Sequence, residues 1–564
     1  MLIEGALVFN VFRRIFEKKS VLVREGIFVD VAEHIEPGPG EERISAAGLW
    51  MGPGLVDIHL HIESSMTYPG EFSRAVLPHG TCTAVADPHE IANVFGIEGI
   101  RAFMASPAEM DIFYGLPSSV PATGSHLETT GGTIGPEEIA ALAPCNQVVC
   151  LGEVMNFREL RAEGDNRTKQ ILRAFARLRP RFPVEGHCPR ISGPDLSAFI
   201  ASGVWADHTQ QTPALMLEKI SKGMFIELQR KSLHEEIIRT VIDHKLFEHI
   251  ALVTDDVLPD DLVRGHLNLL VKRAVSLGMR PEDAVYCASF TPSRHMGLRD
   301  RGSIAPGRIG DFILLEDLET LAIASVYKRG VKVNPAAFPG EEGPAFPPHF
   351  YTSVKRKPLS AADFRPPLPE GFSGGTARCV TLGIEAASTF TRRGRAECPV
   401  RDGKLQWQEK GLALIAVIER YGHEAPLGFG LGEGILRGSG AIATSWAHDH
   451  HNILVLGSNE ADMALAANRV ITQQGGFVVV NQGRITGNIR LDIGGISSSE
   501  PMKTLAESVR LAREAMRELG YQNQNELMSL STLSLLVSPE IKMSDKGLVD
   551  VGTQELIGLF EDVD

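Results

Sequence analysis

The chain has 564 residues, which suggests more than one folding unit. At 43% hydrophobic and 22% charged residues it reads as an ordinary globular protein, and a formal net charge of −14 argues against nucleic acid or an anionic membrane as partner, since both need a basic face. No apolar run reaches the roughly 18 residues of a membrane span, "MLIEGALVFNVFRRIFEKKS" lacks a signal peptide's apolar core, and seven scattered cysteines, with Cys145 and Cys150 wrongly spaced for a CxxC pair, fit reduced thiols and a cytoplasmic location.

Residues 1–50 read as short strands and turns, in "GALVFNVF", "SVLVREGIFVDVA" and "ERISAAGLW". From residue 51 to 296 strand-like runs alternate with amphipathic helical stretches. The strands are "GLVDIHLH", "TCTAVAD", "DIFYGLP", "QVVCLGE", "FPVEGH", "VWADH", "GMFIELQ" and "HIALVTDD". Eight β/α units in this length fit an α/β fold of the (β/α)₈ barrel type, which takes about 250 residues; a doubly wound sheet is the alternative. Residues 297–335, with "GSIAPGRIGDFILLEDLETLAIASVYKRGVKVN", are strand-rich and are expected to join residues 1–50 in a small composite β-domain. Residues 336–374 are dense in Pro and Gly and read as a linker. Residues 375–564 form a further α/β segment, whose "GFGLGEG" does not fit the GxGxxG spacing of a dinucleotide site.

A barrel of this kind carries its chemistry at the C-terminal ends of its strands. Strand 1 ends in His59 and His61, strand 2 in Asp87 followed by His89 and Glu90, and strand 4 in Glu153. Strand 5 ends in His187, strand 6 in Asp207 and His208, and strand 8 in Asp255 and Asp256. Side chains alternate along a strand, so His59 and His61 point the same way, into the barrel. A lone histidine is more often a satisfied core residue than a ligand. Four imidazoles with carboxylates at successive strand ends are different, because burying them together without a metal costs several kcal/mol unless each is paired. Imidazole and carboxylate suit divalent Mn, Fe or Zn.

HxH on strand 1, the carboxylate on strand 4, His on strands 5 and 6 and Asp on strand 8 resemble the amidohydrolase superfamily. More narrowly, "HIESSMTYPGEFSRAVLPHGTCTAVADPHEIANVFG", "LGEVMNF", "GHCPRISGPDLSAFIASG", "TDDVLPDDL", "GSIAPGR", "GAIATSWAHDHHN" and "DKGLVDV" resemble the bacterial adenine deaminase family over nearly the whole chain. The resemblance implies hydrolysis of adenine to hypoxanthine and ammonia, two divalent ions per chain (Mn²⁺ first, then Fe²⁺ or Zn²⁺), a homo-oligomer, and a small purine as the only partner. It matches His59, His61, His187, His208 and Asp255 to metal ligands and Glu153 to a bridging carboxylate. Asp256 could share the role of Asp255. The chain departs from the family at three places. Thr209 follows Asp207-His208 where relatives carry Glu, Gln229-Arg230-Lys231-Ser232 stands where they carry Arg-Glu-Gly-Ser, and His450 replaces a smaller residue.

The expected mechanism has Asp255 moving the proton from an attacking water to the leaving amine. Asp87, His89 and Glu90 either orient the base or support the ligands, or else simply start a helix with Asp as its cap. Glu63, Ser64 and Ser65, after strand 1, either line the substrate pocket or cap an ordinary loop, and Ser118, in "PSSV", is expected to line the pocket wall. Thr209, Gln229 and Arg230 stand where the ring would be read. His448, Asp449 and His451 are either a hydrogen-bonded turn or a lid or accessory metal position, and "RYGH" (Arg420 to His423) carries the same ambiguity. His61-x-Glu63 matches H-x-E of the zinc cytidine-type deaminases, but the P-C-x-x-C those enzymes need is missing. Two other functions remain open: hydrolysis of a cyclic amide, lactone or other 6-substituted purine, and a catalytically silent scaffold.

Overall fold

Eight short parallel strands, buried along nearly all their length, build the first structural unit. They are Leu55–Leu60, Thr81–Ala86, Asp111–Leu116, Val148–Val154, Val184–Gly186, Ala206–Asp207, Phe225–Leu228 and Ile250–Leu252. The computed structural model describes residues 1–338, 345–372, 374–386 and 388–561. Strands 1 to 5 pair in order, as do strands 6 to 8. Two junctions close the ring: Trp205 N–H donates to Val184 O at 3.0 Å between strands 5 and 6, and Asp255 N–H donates to His59 O at 3.0 Å between strands 8 and 1. An open doubly wound sheet would leave its edge strands unpaired, so this closure makes the fold a (β/α)₈ barrel.

Helices cover the barrel because their apolar positions repeat with helical period. In Arg167–Leu178 the buried residues are Thr168, Ile171, Leu172, Ala174 and Phe175, and the opposite face carries Lys169, Gln170, Arg173 and Arg177. Asn166 starts it by accepting Lys169 N–H at 3.1 Å, a cap worth about 1 kcal/mol. Thr212 does the same for Pro213–Ser221, where Pro sits at the helix start.

The flanking segments meet in one mixed sheet, ordered Val331–Lys332, Ala322–Lys328, Phe312–Asp317, Trp50–Pro53, Leu2–Asn10, Ile15–Arg24, Ile27–Ala32. Arg43–Ser45 pairs parallel to Leu2–Asn10. The last segment is a nine-stranded sheet running from Lys404–Leu405 to Arg484–Arg490, with helices Glu460–Thr472 and Met502–Glu518 against it.

The Pro-rich stretch read as a linker differs from a free spacer. Phe350 and Phe364 are fully buried, and Phe350 stacks on Phe95 with ring centroids 3.9 Å apart. Aromatic residues among the prolines supply apolar area that proline composition conceals; residues 339–344 of this stretch lie outside the described residues. Among the described residues no helix is long and apolar enough to cross a membrane, and all seven cysteines are free.

The last segment sits over the C-terminal mouth of the barrel. Trp446 Nε1–H donates to Glu63 O at 3.1 Å, Asn452 Nδ2–H to Thr129 O at 2.9 Å and Ser498 N–H to Met66 O at 2.8 Å, while Arg513 pairs with Asp260 at 2.8 Å.

Candidate metal centre

The six residues expected as metal ligands converge on Glu153, all but His187 buried. One Glu153 oxygen, Oε1, is 3.4 Å from His61 Nε2. The other, Oε2, is 3.0 Å from His187 Nδ1 and 3.4 Å from His208 Nε2. Asp255 Oδ1 closes the opposite side, 3.6 Å from His61 Nε2 and 3.8 Å from His59 Nε2. The His59 and His208 rings stack at 3.8 Å. Potential ligand atoms of His59, His61 and Glu153 all lie within 4.8 Å of one another, as do those of Glu153, His187 and His208 and those of His59, His208 and Asp255.

The atoms left without partners test whether a cation fits. His59 Nε2, buried, has no hydrogen-bond partner. His187 Nδ1 and His208 Nε2 face each other at 3.2 Å while both approach the same carboxylate oxygen. In its neutral form His61 donates Nδ1–H to Asp87 O at 3.0 Å and turns the Nε2 lone pair towards Glu153 and Asp255. This is how ligating histidines are oriented, with one nitrogen fixed by a carbonyl and the other presented to a metal. The donor set is imidazole and carboxylate throughout, so the residues present fit divalent transition ions.

The local electrostatics follow from the same contacts. Burial works to raise the Glu153 carboxyl, but His208, His187 and His61 outweigh it and hold it well below the usual carboxylate range. Burial, followed by the charge of His208, pushes His59 well below the ordinary imidazole value. His61 moves the other way: burial opposes its charge, but Asp255 and Glu153 prevail.

A layer of fixed groups positions the cluster. Asp87 Oδ2 accepts Glu153 N–H at 2.8 Å, and Ser118 donates to Glu153 O at 2.7 Å. Gln229 Nε2–H donates to Asp255 Oδ2 at 2.7 Å. Asp255 itself sits at φ +58°, a left-handed conformation that non-glycine residues seldom adopt and that recurs at functional sites. Asp207 accepts from Cys188 N–H, Thr209 Oγ1, Gln211 Nε2 and Lys219 Nζ, so it ties the loop after His187 to that after His208.

Several expected roles change. Asp87 does not cap a helix: the helix starts at His89, Pro88 is its N-cap, and no side chain caps it. Thr209 is not free to read a ring, because its hydroxyl is 2.9 Å from both Asp207 oxygens. Arg230 is 73% exposed and pairs with Asp261 at 3.2 Å, outside the buried cluster. Ser118 holds the Glu153 backbone. Ser64 donates to Asp256 Oδ1 at 2.6 Å, so the half-buried Asp256 is held there while Asp255 lies against the imidazoles. Glu90 turns its carboxylate towards His448 and His451. Glu63 accepts Ile91 N–H at 3.0 Å through Oε1, its buried Oε2 has no hydrogen-bond partner, and burial pushes its carboxyl up to about 7.

Three residues went unread in the sequence. Lys219 lies on the helix Pro213–Ser221, and its ammonium is fully buried 2.7 Å from Asp207. Glu185 and Glu227 are buried inside the barrel, and Glu227 Oε2 lies 3.7 Å from His59 Nδ1. A charged residue in the middle of "FPVEGH" and "GMFIELQ" was the available signal.

Comparison with known proteins bears on the same residues. Residues 50–182 and 162–333 match the amidohydrolase family, and 388–555 match the adenine deaminase C-terminal domain. The chain is 46% identical over 562 residues to the adenine deaminase of Lactobacillus delbrueckii subsp. bulgaricus, covering 100% of this chain and 99% of that protein. It is 46% identical to adenine deaminase 2 of Oenococcus oeni, covering 98% of this chain and 97% of that one. It is 45% identical to the adenine deaminase of Clostridium perfringens, covering 100% and 99%.

Proposed function

The chain belongs to the adenine deaminase family of the amidohydrolases, and from that premise we propose that it hydrolyses adenine to hypoxanthine and ammonia at the cluster centred on Glu153. The observation that carries this reading is the shared carboxylate: Glu153 offers one oxygen to His61 and the other to His187 and His208.

The family is metal-dependent. His59, His61, Asp255 and Glu153 would hold one divalent ion and Glu153, His187 and His208 a second, with Mn²⁺ the first choice and Fe²⁺ or Zn²⁺ the alternatives. Bound ions of this kind lower the pKa of water from about 15.7 towards 7 and stabilise charge on the reacting carbon's substituents.

The chain's own residues do the rest. Asp255 takes the proton released as water adds to C6 and passes it to the departing amine. Gln229 Nε2–H donates to Asp255 Oδ2 and so fixes the orientation of the carboxylate that carries the proton. Proton transfer by a placed group contributes roughly 10²–10⁴-fold. Asp87 and His89 flank Glu153, with His89 Nδ1 3.7 Å from Glu153 Oε1, and keep it aimed inward. Glu63, whose carboxyl burial pushes up to about 7 and whose Oε2 has no hydrogen-bond partner, suits, when protonated, a donor to a ring nitrogen of the base. The last segment covers the mouth and excludes water, so such hydrogen bonds act in a low dielectric.

The proposal extends to a cytoplasmic homo-oligomer acting on a free purine; light scattering tests the assembly. The function is tested by screening purines, cyclic amides and lactones with Mn²⁺-loaded protein. Ammonia and hypoxanthine from adenine are expected. Opening of a cyclic amide or lactone with no purine turned over would overturn the reading.

A further inference from the structure

Beyond the Glu153 cluster a second group of buried polar side chains lies where the barrel meets the loop Trp446–Asn452. His448 Nε2 is 2.9 Å from Glu90 Oε1. His89 Nε2 is 3.5 Å from the same oxygen and 3.9 Å from Asp449 Oδ1. His451 Nε2 bonds the other Glu90 oxygen. All five residues are at most 5% exposed.

Hydrogen placement here is constrained. The Ser531 hydroxyl donates to Trp446 O at 2.7 Å, so its oxygen accepts from His448 Nδ1–H at 2.5 Å. A neutral His448 therefore turns the Nε2 lone pair towards Glu90 Oε1, two acceptors 2.9 Å apart. Neither atom has a hydrogen-bond partner, and neither does the buried Asp449 Oδ2. Such a meeting of acceptors is relieved only by a proton on His448 or by a cation between them. The buried Arg420 is directed elsewhere, to Ser353 Oγ at 3.1 Å and Gly494 O at 2.8 Å.

Two imidazole nitrogens and two carboxylate oxygens carry a formal charge that a divalent ion would neutralise. Tetrahedral ligands about 2.1 Å from a metal stand about 3.4 Å from one another, and the separations here are 2.9, 3.5 and 3.9 Å. The supporting contacts also have the form of a metal site: Ser531 fixes His448, and His451 fixes the second oxygen of Glu90.

We propose that His89 Nε2, Glu90, His448 and Asp449 form an additional site for a divalent transition ion, separate from the Glu153 cluster, which fastens the last segment to the barrel mouth. Two of its ligands come from the helix His89–Phe95 and two from the loop Trp446–Asn452, so one ion would bridge the two parts of the chain.

Metal content tests this independently of turnover. Wild-type protein, Asp449→Asn and His448→Gln are loaded with Mn²⁺, freed of excess ion and measured by elemental analysis, with circular dichroism to confirm folding. The variants are expected to hold one ion per chain fewer than the wild type, and Mn anomalous scattering from wild-type crystals should show a peak between Glu90 and His448. His208→Ala reports separately on the Glu153 cluster: it should lose metal there and keep the Glu90 peak. Equal metal content in wild type and both variants, or anomalous density confined to the Glu153 cluster, would overturn the proposal whether or not the barrel centre is as described.

Discussion

Replacing Lys219 with methionine isolates one buried charge. Methionine keeps an unbranched apolar stem of similar length and removes only the ammonium. In the native protein Lys219 Nζ lies 2.7 Å from Asp207 Oδ2, and both side chains are fully buried. Asp207 would keep three donors, from Cys188 N–H, Thr209 and Gln211, but no compensating charge. Breaking a buried ion pair by removing one partner costs about 3–5 kcal/mol. The three remaining donors put the expected cost near the lower end, about 3 kcal/mol. At roughly 2–4 °C per kcal/mol for a unit of about 250 residues, the thermal midpoint should fall by about 6–12 °C. Asp207 also ties down the loops that carry His187 and His208, so metal affinity should weaken by about 10–100-fold. The assay is a thermal melt of metal-loaded protein together with a chelator competition. Lys219→Met combined with Asp207→Asn should recover part of the loss, because no unpaired charge then remains. A midpoint and metal affinity unchanged in Lys219→Met would refute the reasoning, and so would a double variant worse than the sum of the single ones.

Other outcomes follow from the same contacts. Asp255→Asn, close to isosteric, should leave the fold intact and lower kcat by at least about 10²-fold; if Asp256→Asn shows that drop instead, the two roles must be exchanged. His59→Ala and Glu153→Gln should each lose bound metal by elemental analysis, and full occupancy in both would contradict the shared-carboxylate centre. Away from the site, Asp111 is gripped by Arg301 and Lys328, each at 2.8 Å, and by Arg329 at 3.2 Å. Burial raises its carboxyl, but these cations outweigh it and hold it at about 2 against an ordinary value of 3.8. A depressed carboxyl stabilises the fold above its unfolded pKa, so Asp111 contributes about 2 kcal/mol at neutral pH. That contribution is lost as pH falls from about 4 to 2, and the stability gap between wild type and Asp111→Asn should narrow across that window. A gap that does not change with pH would show that the cations do not set this carboxyl.

The barrel was legible because short strand-like runs, most of them apolar, alternate with stretches whose apolar residues repeat with helical period. The convergence of His59, His61, Glu153, His187, His208 and Asp255 was legible because strand ends in such a barrel share one mouth. What was not legible depended on contacts between distant segments. Thr209 sits beside the cluster in sequence but spends its hydroxyl on Asp207, and Arg230 faces solvent because strand 7 has ended two residues before it. The burial of Lys219 is set by its partner on another element, which periodicity cannot reveal. The turn of Glu90 towards His448 and His451 joins residues about 360 positions apart, a pairing visible only once the last segment is folded over the barrel.

If adenine is deaminated with divalent ions held around Glu153, turnover must follow the metal. The most direct measurement is hypoxanthine and ammonia production from adenine by wild-type protein, first stripped with a chelator and then reloaded with Mn²⁺. Stripped protein should show no turnover, reloaded protein equal amounts of both products, and Glu153→Gln little recovery. Adenine turnover that survives complete metal removal, or reloaded protein that leaves every purine untouched while opening a cyclic amide or lactone, would contradict metal-dependent deamination of adenine at this centre.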